Sequence, residues 1–442
     1  MTFMVAVDEI YGNGMVIQRG KPVVIKGNTD GPEHIRIDFS GQSAEFDADG
    51  KWSIELREIA YYAGPYSMVI TGYENRIIIK NIYIGEVWFA LGQSNMQFRL
   101  REEAEYAGLL TNYHNQNIHI FRPLPKGAPT YDYDGFGWIC DTKNMCGKMS
   151  AVAYYFACAL SRALHCPVGI IDCSMGSTSA ACWMSRESVL HCKPAQNVRQ
   201  DADNDYPPSA LYDAMLEKVE LCKAAGVIYY QGESDIACRC NYGSMLERLI
   251  EDWRCRQGEA IPFIEVLLPG FAYHGKRRGT EWAQIRREQI ALTHRLKKVY
   301  LVNTINEGEL SDIHPKRKRG IGELLARAAM ESTYQHTTHF GAPEVISCEW
   351  NENSVRLGFS HSAALRTEDE EQEAVFEAAG EDKKFYDADY VIQGAEIILS
   401  CRKVAVICYV RIGYRNYCRM NIVNEYGIPL LPYSGMKEAW PG

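Results

Sequence analysis

Four short polar stretches of the sequence have residue types that could support chemistry, and each follows an apolar run of strand length. The stretches are GQS at 92–94, CSMGS at 173–177, QGE at 231–233 and DIH at 312–314. A serine hydroxyl is a weak nucleophile, and imidazole can activate it because imidazole accepts a proton near neutral pH and returns it to the leaving group. Ser94 and His314 are therefore candidates for nucleophile and base.

Asp312 is a candidate for the third member of a triad. In an extended segment residues i and i+2 point to the same side, and Pro315 favours an extended conformation for His314. A carboxylate at 312 could then orient the imidazole ring and stabilise its charged form. The alternative interpretation is an aspartate that caps a helix beside a surface histidine.

Acyl transfer also needs hydrogen-bond donors for the oxyanion. Gly176 lies in a loop of small residues that offers backbone N–H groups, and Gln231 adds a neutral side-chain amide. Gly92 permits a tight turn that would leave the Ser94 hydroxyl at the strand end. The alternatives are that Ser94 is only a helix N-cap, and that the loops contain ordinary turn residues.

The elements that must position these groups begin at about residue 82, where apolar runs alternate with amphipathic segments of helix length. Such alternation predicts an α/β fold with a mostly parallel sheet covered on both faces. Ligands of such sheets bind beyond the carboxyl ends of the strands. The helical segments are predicted within 150–165, 208–226, 242–255, 280–296 and 318–332.

The two ends of the chain have the short alternating runs of β-structure. We predict an N-terminal β-domain over 1–80, a catalytic domain over 81–336 and a C-terminal β-domain over 337–442. Both β-domains are predicted to resemble β-sandwiches. Asp49-Gly50, between two alternating runs, predicts a β-hairpin.

Composition excludes several classes of partner. The formal net charge of −9 argues against nucleic acid, and the basic run 316–319 is predicted to be a solvated face. No stretch approaches the roughly 18 apolar residues of a membrane helix, and the first residues do not resemble a signal peptide.

Cysteine usage bears on location and on metal binding. Fifteen cysteines scattered through helical and strand-like segments predict reduced thiols and a cytoplasmic protein. Cys238, Cys240 and Cys255 lack the paired spacing of zinc sites. We therefore expect neither a metal nor a cofactor.

The motifs GQSNM, GIIDCSMGST, YYQGES and DIHP resemble, in order and spacing, those of the sialate O-acetylesterase-like group of SGNH (GDSL-type) hydrolases. That group includes bacterial carbohydrate acetylesterases, and the similarity extends over nearly the whole chain. The resemblance implies a flavodoxin-like SGNH catalytic domain and removal of O-acetyl groups from a sugar through an acetyl-enzyme.

Carried over by position, the resemblance implies Ser94 as nucleophile and His314 as base. It implies an oxyanion hole formed by the Ser94 N–H, Gly176 and Gln231. Two positions depart from the pattern. The broader superfamily often has its acid three residues before the histidine, where this chain has Ser311, and relatives commonly have a second glycine where this chain has Ser177.

Gln93, Asn95 and Glu233 are the candidates for substrate contacts, although Glu233 could instead cap a helix. The candidate substrates are O-acetylated sialic acids and acetylated plant oligosaccharides, with specificity from loops around 97–140 and 184–210. Two alternatives remain open: a non-catalytic carbohydrate-binding protein on the same scaffold, and an SGNH lipase or thioesterase. No pattern fixes the oligomeric state.

Overall fold

A computed structural model describes residues 4–114, 117–123, 137–200, 204–368 and 375–437. The chain divides into two compact units. Unit 1 runs to Gln231 and includes Ser244–Ile264 and Lys316–Ala329, while unit 2 comprises Gly232–Gly243, Glu265–Pro315 and the chain from Met330 onwards.

The N-terminal part of unit 1 is made of β-strands. They are β1 Val5–Val7, β2 Val16–Gln18, β3 Val23–Thr29, β4 Glu33–Phe39, β5 Gln42–Ala48, β6 Lys51–Leu56, β7 Ala63–Thr71 and β8 Arg76–Gly92. Strands β1, β3 and β6 form one antiparallel sheet, and β5, β4, β7 and β8 are hydrogen-bonded in that order. An apolar core that includes Ile25 of β3 and Ile35 of β4 packs between them. The predicted β-rich character of this segment is confirmed.

The hairpin of this region lies at a different turn from the one predicted. Strand β5 pairs with β4, whereas β6 pairs with β3, so Asp49-Gly50 connects two sheets and the hairpin prediction is wrong. The observed hairpin joins β4 to β5 through Ser40 and Gly41, with φ angles of 49° and 74°. Two successive positive φ angles match the twist of paired strands.

Strand β8 is 17 residues long and belongs to two sheets. Its first part pairs with β7 of the N-terminal sheet, and its last residues enter the central parallel sheet. The predicted domain boundary at residue 80 lies inside this strand, and the division into three domains stays a proposal.

The central strands are β9 Ile118–Arg122, β10 Gly137–Cys140, β11 Val168–Ser174, β12 Gly226–Tyr230, β13 Phe263–Val266 and β14 Val299–Val302. In unit 1 the parallel order is β9, β11, β8, β12, with β10 antiparallel to β9 at the edge. Every residue of β11 and β12 is buried, as expected of strands covered on both faces. The first two residues of β13 belong to unit 1, and its last two belong, with β14, to unit 2.

The α-helices are α1 Ser94–Gln97, α2 Tyr106–Thr111, α3 Ala151–Leu164, α4 Arg186–Leu190, α5 Lys193–Gln196, α6 Tyr242–Gln257, α7 Glu281–Arg295 and α8 Arg319–Tyr334. Helices α3, α6, α7 and α8 confirm four of the five predicted segments. The segment at 208–226 is instead regular only over Tyr212–Leu216, as a π-helix. Gln257 Nε2 donates to the carbonyls of Glu220 and Cys222. A side chain therefore occupies carbonyl oxygens that would accept backbone N–H groups if the helix continued.

Unit 2 contains the C-terminal strands. They are β15 Val345–Trp350, β16 Ser354–Phe359, β17 Arg366–Thr367, β18 Phe376–Ala379, β19 Tyr386–Asp387, β20 Asp389–Gln393, β21 Glu396–Ser400, β22 Tyr409–Ile412, β23 Ile422–Val423 and β24 Tyr433–Met436. They form antiparallel sheets of order β15-β16-β21-β20 and β19-β18-β22-β24, and a pair β17-β23. Their apolar core includes Val355, Ile397 and Val410.

These features give the predicted α/β class, a parallel central sheet flanked by helices with antiparallel sheets at the N- and C-terminal ends. Within the described ranges, none of the helices is both long enough and apolar enough to cross a membrane.

Candidate active site

Three strand ends of unit 1 lie at the same level. Gly92 of β8 pairs with Ser174 of β11 on one side and with Tyr230 of β12 on the other. The stretches that follow these three residues therefore start from one edge of the sheet, as the sequence argument predicted.

Residues 92–97 form a tight turn, which we call the serine turn. Gly92 has a φ of 146°, and a Cβ atom there would lie 2.1 Å from the Tyr230 carbonyl oxygen, so only glycine fits. Helix α1 begins at Ser94 with Gln93 as the N-cap residue, which makes the N-cap interpretation of Ser94 wrong. Ser94 is only half-buried, whereas Asn95 is buried. The fold thus leaves Ser94 partly exposed.

The loop after β11, residues 175–178, lies against the serine turn, and we call it the glycine loop. A Cβ atom on Gly176 would lie 3.5 Å from Ser94 Cβ. The Gly176 N–H donates to Gln97 Oε1 at 2.8 Å. The backbone donor predicted for the oxyanion is therefore next to Ser94 and already holds an amide oxygen.

Ser177 in the glycine loop has a φ of 53°. This left-handed conformation favours glycine, which is the residue that the family resemblance implied at this position. The Ser177 carbonyl accepts a hydrogen bond from the Asp205 N–H at 2.9 Å, so the loop keeps this strained conformation with support from a neighbouring segment.

Gln231 joins three strand-end segments of unit 1. Its Nε2 donates to Gln93 Oε1 at 3.2 Å and to the Thr178 carbonyl at 3.1 Å, and its Oε1 accepts from the Tyr229 hydroxyl at 3.1 Å. Gln231 is completely buried. Both N–H groups of the amide have protein acceptors, and the predicted role of Gln231 as an oxyanion donor stays a prediction.

The three predicted substrate-contact residues are all buried. Gln93 is 3 % exposed, Asn95 1 % and Glu233 5 %. Glu233 lies in the first turn of a 3-10 helix in unit 2 that follows Gly232. Gln93 and Asn95 thus have buried positions in the serine turn. Direct contact with substrate stays a prediction for all three residues.

A buried ion pair lies beneath the serine turn in unit 1. Arg99 Nη1 is 3.2 Å from Asp172 Oδ2, and the Ser174 hydroxyl donates to Asp172 Oδ1. Burial raises the pKa of Asp172, although Arg99 and Ser174 act in the opposite direction. The sequence signal for this pair was a charged residue in the otherwise apolar run GIIDC, which the sequence argument did not use.

In unit 2, a hydrogen bond joins the Asp312 side chain to the His314 main chain. Asp312 Oδ1 accepts a hydrogen bond from the His314 backbone N–H at 2.8 Å, and both residues are half-buried. Ser94 belongs to unit 1 and His314 to unit 2. The catalytic pairing of Ser94 with His314, and the role of Asp312 in it, therefore stay predictions.

Unit 2 contains a second buried polar cluster around Glu265. Gln289 Nε2 donates to Glu265 Oε1 at 2.9 Å, and the Tyr242 hydroxyl lies 3.5 Å from the same oxygen. Burial raises the pKa of Glu265 to about 8, against the effect of these hydrogen bonds. Burial therefore favours the neutral form of the Glu265 carboxyl group.

The basic run 316–319 is not a uniformly solvated face. Lys316 and Arg317 are exposed, but Lys318 is completely buried, so the prediction is wrong for that residue. Composition alone could not show which of adjacent cations points inward.

Two further observations concern metal ligands and the loops predicted to set specificity. Within the described part of the chain, no group of three or more His, Cys, Asp or Glu side chains could hold a metal ion. Residues 115–116, 124–136 and 201–203 of the loops predicted to set specificity lie outside the described residues.

Comparison with known proteins identifies similar sequences and structures. The chain is 27% identical to a carbohydrate acetylesterase from Xanthomonas citri, with a TM-score of 0.89 over 99% of this chain and 100% of that one. It is 25% identical to the sialate O-acetylesterases of Pongo abelii and Homo sapiens over 324 residues. These residues represent 66% of this chain, and the chain spans 62% of the length of those two relatives.

The family described as carbohydrate esterase, sialic acid-specific acetylesterase, matches residues 84–331. This range is more than half of the chain and contains the serine turn, the glycine loop, Gln231 and His314. The chain therefore belongs to the sialic acid-specific acetylesterase family of carbohydrate esterases.

Proposed function

We propose that the protein is a serine esterase that removes O-acetyl groups from carbohydrates through an acetyl-enzyme. The observation that carries the proposal is the half-buried Ser94 on the serine turn, next to Gly176, where three aligned strands end. Family membership and the structural similarity to a carbohydrate acetylesterase support the same chemistry.

In the proposed mechanism Ser94 Oγ attacks the acetyl carbonyl carbon while His314 accepts the hydroxyl proton. Collapse of the tetrahedral intermediate breaks the bond to the sugar oxygen, and His314 returns the proton to that oxygen. A water then repeats the attack on the acetyl-enzyme and releases acetate. Asp312 holds the histidine segment by accepting a hydrogen bond from the His314 backbone N–H, and we propose that it also orients the ring.

The oxyanion would bind to the N–H groups of Ser94 and Gly176. We propose that the substrate oxygen replaces Gln97 Oε1 as acceptor on Gly176, because that amide oxygen already lies 2.8 Å from the nitrogen. Gln231 would join these donors only by releasing Gln93 or Thr178.

The proposed substrate is an acetylated sugar or short oligosaccharide. O-acetylated sialic acids are the first candidates, since the family and the curated relatives are described by that activity. Acetylated plant oligosaccharides are the second. Acetate release from a matched panel of both substrate classes would identify the preferred one.

Replacing Ser94 with alanine is the primary test. Ser94→Ala should lower acetate release and p-nitrophenyl acetate hydrolysis by about a thousandfold or more, since it removes the nucleophile. Ser53→Ala, at an exposed position of strand β6, is the matched control and should retain activity. Retained turnover in folded Ser94→Ala would overturn the proposal.

Labelling with a fluorophosphonate probe tests the competing functions of this scaffold. The wild type should be labelled at Ser94, and His314→Gln should be labelled far more slowly because the hydroxyl loses its base. A wild type that binds sugars without labelling would indicate a non-catalytic carbohydrate-binding protein. A rising rate along a series of longer acyl esters would indicate a lipase or thioesterase.

We also propose a cytoplasmic location. All fifteen cysteines lie in the described part of the chain and each is a free thiol, which supports a reducing compartment. Fractionation of the native host with an antibody would test this, and recovery of the protein outside the cell would contradict it.

A further inference from the structure

Lys318 is a completely buried lysine whose ammonium group lies against the serine turn. Its Nζ donates to Asn95 Oδ1 at 2.6 Å. Asn95 directly follows Ser94 and is itself buried. The proposed mechanism assigns neither side chain a chemical step, yet they form a short charge-assisted hydrogen bond one residue from the nucleophile.

Two aromatic rings also contact this cation. Lys318 Nζ lies 5.0 Å from the ring centre of Phe98 and 5.5 Å from that of Tyr230. Phe98 follows helix α1, and Tyr230 precedes Gln231. Cation–π attraction at these distances holds the ammonium between the segment that carries Ser94 and the segment that carries Gln231.

The main chain around Lys318 is fixed as well. The Lys318 N–H donates to Glu103 Oε1 at 3.3 Å, and the Lys316 carbonyl accepts from the Ala104 N–H at 3.0 Å. The backbone position of Lys318 is therefore set independently of its side chain. The ammonium can act as a fixed point for Asn95.

A buried ammonium is expensive for stability alone. Desolvation of such an ion costs several kcal/mol, and apolar residues of similar volume often serve stability as well or better. Lys318 is buried while Lys316, two residues earlier, is exposed. The chain thus places one cation inward at a point where an apolar side chain would fill the same space, which indicates a role beyond packing.

We infer that Lys318 is a positioning residue for Ser94, which it acts on by fixing the serine turn through Asn95. This inference rests on the proposed function, because it assigns Lys318 to the same reaction. A shift of about 1 Å at a reacting atom can cost about a hundredfold in rate. Loss of the hydrogen bond should therefore lower kcat with little effect on KM.

The test compares Lys318→Met with Lys316→Met. Methionine is close to lysine in shape and has no charge, and Lys316 Nζ lies 5.4 Å from the same Phe98 ring but is exposed. Folded Lys318→Met should lose about ten- to a hundredfold in kcat and in fluorophosphonate labelling rate, with KM within about threefold. Lys316→Met should keep kcat within about twofold, because its side chain lies on the surface.

A double-mutant cycle tests whether Lys318 acts through Asn95. Asn95→Ala breaks the same hydrogen bond from its other end, so the double variant should lose no more activity than the larger single loss. If Lys318→Met does not fold, Asn95→Ala alone still gives the kcat and labelling readout. Multiplicative losses, or a folded Lys318→Met with wild-type kcat and labelling rate, would overturn the inference.

The two proposals fail in different ways. A wild type that neither releases acetate nor reacts with the fluorophosphonate overturns the esterase proposal and this inference with it. An active wild type whose Lys318→Met variant is equally active overturns the inference alone.

Discussion

Two of the buried polar clusters in the described part of the chain, around Asp172 and around Glu265, use their carboxyl groups in opposite ways. In unit 1 Asp172 lies next to Arg99 and Ser174 beneath the serine turn. In unit 2 Glu265 lies among neutral donors, and its Oε2 has no hydrogen-bond partner among the described residues. The first carboxyl group is compensated by a cation, whereas burial raises the pKa of the second to about 8 and so favours its neutral form.

The difference indicates what each cluster contributes. A charge that is buried with its partner fixes the geometry of both groups, at the cost of a large penalty if either is removed. A buried neutral acid needs no counter-ion, but it makes stability depend on pH. Conversion of each carboxyl group to an amide should therefore have different effects on the free energy of unfolding in the two clusters.

The largest expected effect is that of Asp172→Asn. The substitution leaves the Arg99 guanidinium buried without its carboxylate, which should cost about 3–5 kcal/mol in the free energy of unfolding. Urea unfolding at pH 7 measures it. Asp38→Asn breaks an exposed pair with Arg36 and is the matched control, with little change expected. Equal effects of the two substitutions would contradict the assigned role of the buried pair.

Glu265→Gln should instead change the pH dependence of stability. Between the ordinary glutamate pKa of 4.5 and the folded value of about 8, the unfolded chain releases a proton that the folded chain keeps. The free energy of unfolding of the wild type should therefore fall as pH rises, by about 1.4 kcal/mol per pH unit from this group.

The amide lacks this proton, so the stability of Glu265→Gln relative to wild type should rise between about pH 5 and 8 and then level off. Urea midpoints at pH 5, 6, 7, 8 and 9 would show it. A difference that stays constant with pH would show that Glu265 is ionised in the fold.

A negative charge placed next to the Gly176 N–H should also be harmful. Gln97→Glu places a carboxylate on the Gly176 N–H, where it competes with the developing oxyanion and repels it. We expect kcat to fall by about a hundredfold, comparable to the loss of an oxyanion donor. Gln97→Ala, which frees the same N–H, should stay within a few-fold of wild type. Similar kcat values for the two variants would exclude Gly176 as a donor.

The smallest expected effect is that of Ser177→Gly. Glycine removes the strain that a side chain causes in the left-handed conformation at φ 53°. This should raise the free energy of unfolding by about 0.5–1 kcal/mol. The same substitution at Ser53, within strand β6, should lower it. Thermal unfolding of both variants is the measurement, and a destabilised Ser177→Gly would show that the serine side chain stabilises the loop.

The sequence was sufficient to predict the sheet and the level at which its strands end. Strands buried on both faces, such as β11 and β12, read as continuous apolar runs, so the stretches after them could be assigned to one edge. Parallel pairing then brought the serine turn, the glycine loop and Gln231 together.

The direction of individual side chains could not be predicted. Whether Lys318 points inward depends on how the start of α8 packs, and its neighbours 316, 317 and 319 are also cations. Gln97 reads as an ordinary polar helix residue, and its contact with Gly176 arises only from the close approach of two segments 79 positions apart in sequence. The Asp49-Gly50 turn failed as a hairpin signal because strand partners depend on the sheets and not on the turn alone.

The long strand β8 has a practical consequence for anyone who shortens this protein. It is one continuous span from Arg76 to Gly92, so the N-terminal sheet and the serine turn are joined by a single extended backbone without an intervening linker. A cut at residue 80 would sever that span and strip its antiparallel neighbour β7 from it. A shortened protein should accordingly keep the whole of β8 together with its neighbour β7, because this strand leads directly into the serine turn.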